Sequence, residues 1–183
     1  VLNLFKSGKL DKAKIKIENY IKKFPKSFVL FNILGAVCAA QDELEVAINH
    51  HKKSVEINPD YAEGYNNLGI AFQKLGLFEE AIKNYKKTLK LKPNFAPTYN
   101  NLGVALKCLN KLDEALVNSK KAIELDPKFA DAHNNIGEIL EDLGSHEEAY
   151  KFYKKAIKLK SNHLGAYNNL GILLSKLDRI EEC

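Results

Sequence analysis

A period of 34 residues runs through this chain and restricts its fold more than any other feature. Glycine recurs at Gly35, Gly69, Gly103, Gly137 and Gly171. Proline recurs at Pro25, Pro59, Pro93 and Pro127, with Ser161 at the next place. Small residues hold a third register at Ala13, Ala47, Ala81, Ala115, Ala149 and Cys183. Three residue types sharing one period define an internal repeat, and a repeat of this length implies stacked helical hairpins.

Each unit reads as two helices. In the unit that begins at Ala62, a first helix over Ala62–Leu75 carries Tyr65, Leu68, Ile70, Ala71, Phe72 and Leu75 at helical spacing. Gly76 then supplies a left-handed residue that ends it, and Asp42, Asn110, Gly144 and Asp178 take the same place elsewhere. A second helix over Glu79–Leu91 turns Ala81, Ile82, Tyr85, Thr88 and Leu89 inward, and Pro93 prevents its continuation. Ser145 and Glu148 have the spacing of a capping box. The recurring glycine implies close helix approach, with Gly69 expected against Ala81. A helix-interior glycine costs about 1 kcal/mol relative to alanine, so a steric need must outweigh that cost.

The chain reads as one array over residues 1–183. A partial unit spans 1–27, full repeats span 28–61, 62–95, 96–129 and 130–163, and a partial unit spans 164–183. Four full units exceed the three needed to bury a continuous core. Both ends fall within a unit, so the chain reads as a piece of a longer protein.

At these residues the unit resembles the tetratricopeptide repeat. Tyr65, Leu68, Gly69, Phe72, Ala81, Tyr85 and Pro93 match signature positions 4, 7, 8, 11, 20, 24 and 32. At position 4, only His133 departs from an aromatic hydrocarbon or phenol, and at position 27 Ser54 and Thr88 replace the usual alanine. The resemblance implies an all-α, right-handed superhelical solenoid of helix-turn-helix repeats, with a concave groove lined by first helices. It implies a role in protein–protein interaction without naming a partner.

The formal net charge of +5 raises the question of nucleic acid or a membrane surface. Placement argues against both. Lysines gather late in the second helices, as at Lys86, Lys87, Lys90 and Lys92, whereas Glu79 and Glu80 open the same helix. That order complements the helix dipole and describes a solvated outer face. Arginine, suited to bidentate phosphate contact, occurs once, as Arg179. Cys38, Cys108 and Cys183 lack paired spacing, which fits a reducing compartment and a cytoplasmic location. The longest apolar run, Phe28–Ala40, is too short to span a bilayer.

Along the groove that the resemblance implies lie paired asparagines: Asn66 and Asn67, Asn100 and Asn101, Asn134 and Asn135, Asn168 and Asn169. An amide side chain offers both donor and acceptor, so a ladder of them can hold a peptide main chain without reading its side chains. The ladder resembles the groove of protein O-GlcNAc transferase, in which stacked asparagines hold extended polypeptide. The simpler reading is that asparagine is common at these positions and solvated. Val29, Ile33, Ala36, Ala39 and Ala40 make the early end apolar. Asp131, Glu138, Glu141 and Asp142 make the unit at 130–163 acidic, which suits a partner with a basic segment or leaves scattered surface carboxylates. Position 2 carries Val29, Glu63, Pro97, Asp131 and Gly165, and positions 5 and 6 carry no cation, which argues against a clamp for a C-terminal carboxylate.

No catalytic, cofactor or metal motif stands out. His50, His51, His133, His146 and His163 occupy different repeat positions, and His133 falls at a core aromatic position. The expectation is therefore a non-enzymatic scaffold that binds protein or extended peptide, with no nucleic acid, membrane or cofactor. Two alternatives stay open: a substrate-recruiting arm of a larger enzyme such as a glycosyltransferase, and a scaffold that self-associates through its repeat ends. The latter rests on Leu170, Leu173, Leu174 and Leu177 being left partly uncovered.

Overall fold

The computed structural model describes residue 4 and residues 7–177. Ten helices occur among the described residues and no strand. They are α1 (Leu10–Lys23), α2 (Phe28–Ala40), α3 (Leu44–Ile57), α4 (Ala62–Lys74) and α5 (Phe78–Leu91). There follow α6 (Ala96–Cys108), α7 (Leu112–Leu125), α8 (Ala130–Asp142), α9 (His146–Leu159) and α10 (Leu164–Lys176). The chain forms two compact units, Val1–Pro93 with α1–α5 and Asn94–Cys183 with α6–α10.

Within the first unit, α2 pairs with α3 and α4 with α5, while α1 packs on α2. Within the second, α6 pairs with α7 and α8 with α9, and α10 packs on α9. One turn closes all four hairpins. Asp42, Gly76, Asn110 and Gly144 take φ of 63°, 74°, 57° and 76°. The next residue's N–H then reaches back five residues: Glu43 to Cys38 at 2.9 Å, Leu77 to Phe72 at 3.0 Å, Lys111 to Leu106 at 3.0 Å and Ser145 to Leu140 at 2.8 Å. These bonds satisfy carbonyls that the helix end would otherwise orphan. Asp178, expected in the same role, lies outside the described residues, as does Cys183.

The position-20 alanines Ala13, Ala47, Ala81, Ala115 and Ala149 are all fully buried. Ala13 and Ala47 join Ile17, Leu34, Val37 and Cys38 in one core cluster. Ala149 joins Ile136, Leu140, Tyr153, Leu170, Leu173 and Leu174 in another. The hydroxyls at position 27 are bonded in place: Ser54 Oγ donates to the Phe28 carbonyl at 2.8 Å, and Thr88 Oγ1 to the Asn84 carbonyl at 3.1 Å.

Three expectations are corrected. A Cβ on Gly69 would meet the Tyr85 ring at 2.5 Å, and one on Gly137 the Tyr153 ring at 2.5 Å, so the glycine admits position 24 rather than Ala81. The second helix crosses the first one turn later than the small-residue register suggested. Ser145 makes no side-chain cap, because its ψ of 62° falls short of the extended value that aims a capping oxygen at the first turn. Leu170, Leu173 and Leu174 are buried against the preceding hairpin. The side of α10 left exposed carries Leu164, Tyr167 and Ile172 instead.

Candidate functional site

The eight asparagines divide into two kinds. Asn66, Asn100 and Asn134 at position 5 are buried, while Asn67, Asn101, Asn135 and Asn169 at position 6 are half-buried. Asn168 is exposed. A hydrogen bond links the two kinds across neighbouring first helices. Asn67 Nδ2 donates to Oδ1 of Asn32 at 3.1 Å, Asn135 Nδ2 to Oδ1 of Asn100 at 2.8 Å, and Asn169 Nδ2 to Oδ1 of Asn134 at 3.1 Å. Each of these bonds spans 35 residues, one repeat plus one place. A buried amide carbonyl without a partner is costly, so the half-buried amide has a reason to stay in one orientation. Its own Oδ1 remains directed away from that bond.

In the first unit the pairing extends inward. Asn32 Nδ2 donates to the Tyr61 hydroxyl at 3.1 Å, and Asn32 Oδ1 also lies 2.9 Å from His51 Nδ1. An amide oxygen only accepts, so Nδ1 of His51 carries the proton and Nε2 is the bare nitrogen. Burial pushes the His51 pKa down to about 4, and the imidazole is neutral near pH 7. His51 forms the floor of a cleft of about 250 Å³, with Ala36, Ala39, Ala40, Asn67, Ile70, Ala71 and Lys74 around it.

The acidic residues of the second unit are not free. Glu138 accepts from Lys107 Nζ at 2.5 Å and from Asn134 Nδ2 at 2.7 Å and Asn169 Nδ2 at 3.0 Å. Glu141 accepts from Lys176 Nζ at 2.6 Å and from the Tyr153 hydroxyl at 3.0 Å. Asp142 lies 3.8 Å from Lys107 Nζ. Three carboxylates against two ammonium groups leave one net negative charge around a cleft of about 310 Å³. Lys107 and Lys176 stand at positions 12 and 13, where sequence reasoning picked out Glu141 and Asp142 in the unit between them but not the lysines. Their signal was present in the repeat register: each sits about one repeat away from the carboxylate it meets.

Three of the other histidines have structural partners. His133 is buried, with Nε2 donating to the Pro127 carbonyl at 3.0 Å and its ring 5.8 Å from that of Phe152. His163 Nδ1 accepts from the Ala166 N–H at 3.1 Å and caps α10. His50 stacks on Phe31 at 6.3 Å. Among the described residues, no group of His, Cys, Asp and Glu could hold a metal ion. No helix among them is long and apolar enough to cross a membrane.

Models of the tetratricopeptide repeat match residues 62–95 and 130–163, and 84–117. A model of the TPR repeat matches 35–76 and 106–144, and the matches together run without a break from 35 to 163. The chain belongs to the tetratricopeptide repeat family. No curated protein matches it. Among solved structures, MamA is similar at 27% identity and a TM-score of 0.71, over 81% of this chain and 87% of that one. TTC0263, a thermophilic TPR protein of Thermus thermophilus, is similar at 22% identity and a TM-score of 0.78, over 95% of each chain. YrrB, described as a TPR protein with an unusual peptide-binding site, is similar at 20% identity and a TM-score of 0.70. The likeness covers 91% of this chain and 86% of YrrB. The last two likenesses concern fold alone.

Proposed function

We propose that this chain is a non-catalytic protein-interaction scaffold that holds extended polypeptide along the face of its first helices. The observation that carries the reading is the inter-repeat amide bond. It fixes Asn67, Asn135 and Asn169 through Nδ2, which in Asn169 donates to Glu138 as well, while leaving a carbonyl oxygen for a ligand's main-chain N–H. An acceptor held in place before binding loses less side-chain entropy on capture, which favours affinity. Repetition at one-repeat spacing gives a set of main-chain contacts that does not depend on the ligand's side chains. The buried asparagines Asn66, Asn100 and Asn134 then act by positioning, and Asn67, Asn101, Asn135 and Asn169 touch the ligand.

In this reading the repeats of both units belong to one array over residues 1–183, and selectivity comes from the two clefts beside the asparagines. Glu138, Glu141 and Asp142, already bonded to lysines, give the second-unit cleft a weak preference for a basic segment rather than a strong one. Attachment to a catalytic domain would make the same face a substrate-recruiting arm. The combined variant Asn67→Ala, Asn101→Ala and Asn135→Ala tests the reading. Affinity for a pool of unstructured peptides should fall about tenfold or more while helix content by circular dichroism is kept; unchanged affinity would end it.

A second reading, self-association, is favoured by the exposed side of α10, where Leu164 is 76% and Ile172 53% exposed. Sedimentation that does not change with concentration would remove it.

A further inference from the structure

The cleft over His51 exists because two side chains present elsewhere in the register are missing. In the repeat at 62–95, Tyr85 lies over Gly69 and its hydroxyl donates to Gln73 at 2.9 Å. In the repeat at 130–163, Tyr153 lies over Gly137 and reaches Glu141 at 3.0 Å. At the same places the repeat at 28–61 has His51 over Gly35 and, where Gln73 and Glu141 stand, Ala39. The shorter imidazole and the alanine methyl leave unfilled the space that a phenol and its partner take in the repeats at 62–95 and 130–163.

What lines that space is chemically specific. The walls are apolar: Ala36, Ala39, Ile70 and Ala71. The floor is His51, only 2% exposed, whose Nδ1 proton is committed to Asn32 Oδ1. Its Nε2 lone pair has no hydrogen-bond partner among the described residues, so the floor offers an acceptor. At the rim, Lys74 is exposed and has no carboxylate partner among the described residues, unlike Lys107 and Lys176. Asn67 stands beside the cleft with its Nδ2 bonded to Asn32.

We propose that this cleft is a side-chain pocket for a threonine or serine of the bound polypeptide, with an acidic residue two places away in sequence held by Lys74. The hydroxyl donates to Nε2 of His51, the threonine methyl fills the alanine-lined wall, and the carboxylate meets the unpaired ammonium. Alternate residues of an extended chain point the same way, so an acidic residue two places from the hydroxyl faces the rim. A valine of the same shape would fill the walls but leave the buried Nε2 unpaired, which costs affinity. The pocket thus deepens the peptide-scaffold reading and rests on it.

The test uses fluorescein-labelled peptides of one unstructured scaffold whose centre carries Thr and Glu, Val and Glu, or Thr and Lys two places apart, titrated by anisotropy against the whole chain. The peptide with Thr and Glu should bind about five- to tenfold tighter than either of the others. His51→Tyr should erase the preference for Thr over Val, because Tyr fits over glycine at this register and would occupy the cleft. Ala39→Gln fills it from the other helix and should act alike, which keeps the test decisive if one variant folds poorly. Lys74→Glu should reverse the preference for Glu over Lys. Equal binding of the peptide with Thr and Glu and the one with Val and Glu, or a preference that survives both cleft-filling variants, would overturn the pocket. If all peptides bind equally and the triple asparagine variant weakens them all, the groove reading stands and the pocket falls. Absence of binding at about 1 mM peptide would overturn both.

Discussion

Asn135 donates through Nδ2 to Oδ1 of Asn100 at 2.8 Å, joining the first helices of successive repeats within the second unit. The acceptor is buried and the donor half-exposed, so one residue of the pair serves stability and the other faces solvent. Asn67 with Asn32 and Asn169 with Asn134 repeat the relation.

Asn100→Ala removes a buried amide and frees its partner. Urea unfolding should show a loss of about 1–3 kcal/mol with the slope against denaturant unchanged. No shift in midpoint would mean that the bond contributes nothing net.

Gly137→Ala sets helix propensity against packing. Alanine gains up to about 1 kcal/mol in a helix. Its Cβ would stand 2.5 Å from the fully buried ring of Tyr153, and overpacking of that kind costs about 1–3 kcal/mol. Packing should win, with a lower melting temperature. At Gly103 the nearest atom is the Ser119 hydroxyl oxygen, which can rotate away, although the Ala115 carbonyl lies 3.1 Å off. Gly103→Ala should therefore cost less than Gly137→Ala, and the opposite order would refute this account of position 8.

His51 makes stability depend on pH. Its folded pKa of about 4 lies below the ordinary 6.5, so the unfolded chain binds a proton first as pH falls. Its effect is nil above pH 6.5, and destabilisation grows from there down to about pH 4, where the folded form protonates too. The full effect is about 3 kcal/mol at 1.36 kcal/mol per pH unit. Lowering the pH from neutral to about 4.5 should therefore cost the parent protein more stability than it costs His51→Tyr. Identical pH slopes in the two proteins would contradict this.

Gly144 at φ 76° has open space around it, so its role is conformational and not steric. Gly144→Ala should cost about 1 kcal/mol, and Gly144→Asn less, because asparagine at the same turn in Asn110 already adopts φ 57°. Equal losses from the two substitutions, measured by thermal unfolding, would tell against the left-handed turn.

Features fixed by local chemistry were legible in the sequence. The hairpin period, the left-handed turns at Asp42 and Asn110 and the burial of the position-20 alanines each depend on a residue's own backbone or size. Features fixed by how helices cross were not. The meeting of Gly69 with Tyr85 depends on a crossing point that periodicity leaves open by one turn. The amide pairs were seen as a ladder facing one way, whereas position 5 turns inward and position 6 outward. That distinction arises from neighbouring helices and from no property of asparagine. Lys107 and Lys176 were missed as partners of the acidic cluster because their carboxylates sit about one repeat away, at a distance only stacking makes short.

The central claim is that the half-exposed asparagines hold a polypeptide main chain. Side-chain amide resonances of the intact protein, followed while an unstructured peptide pool is added, test it most directly. The account predicts that the amide signals of Asn67, Asn101, Asn135 and Asn169 shift together, while that of Asn118, on the second helix α7, stays in place. Shifts confined to second helices, or none at saturating peptide, would contradict it.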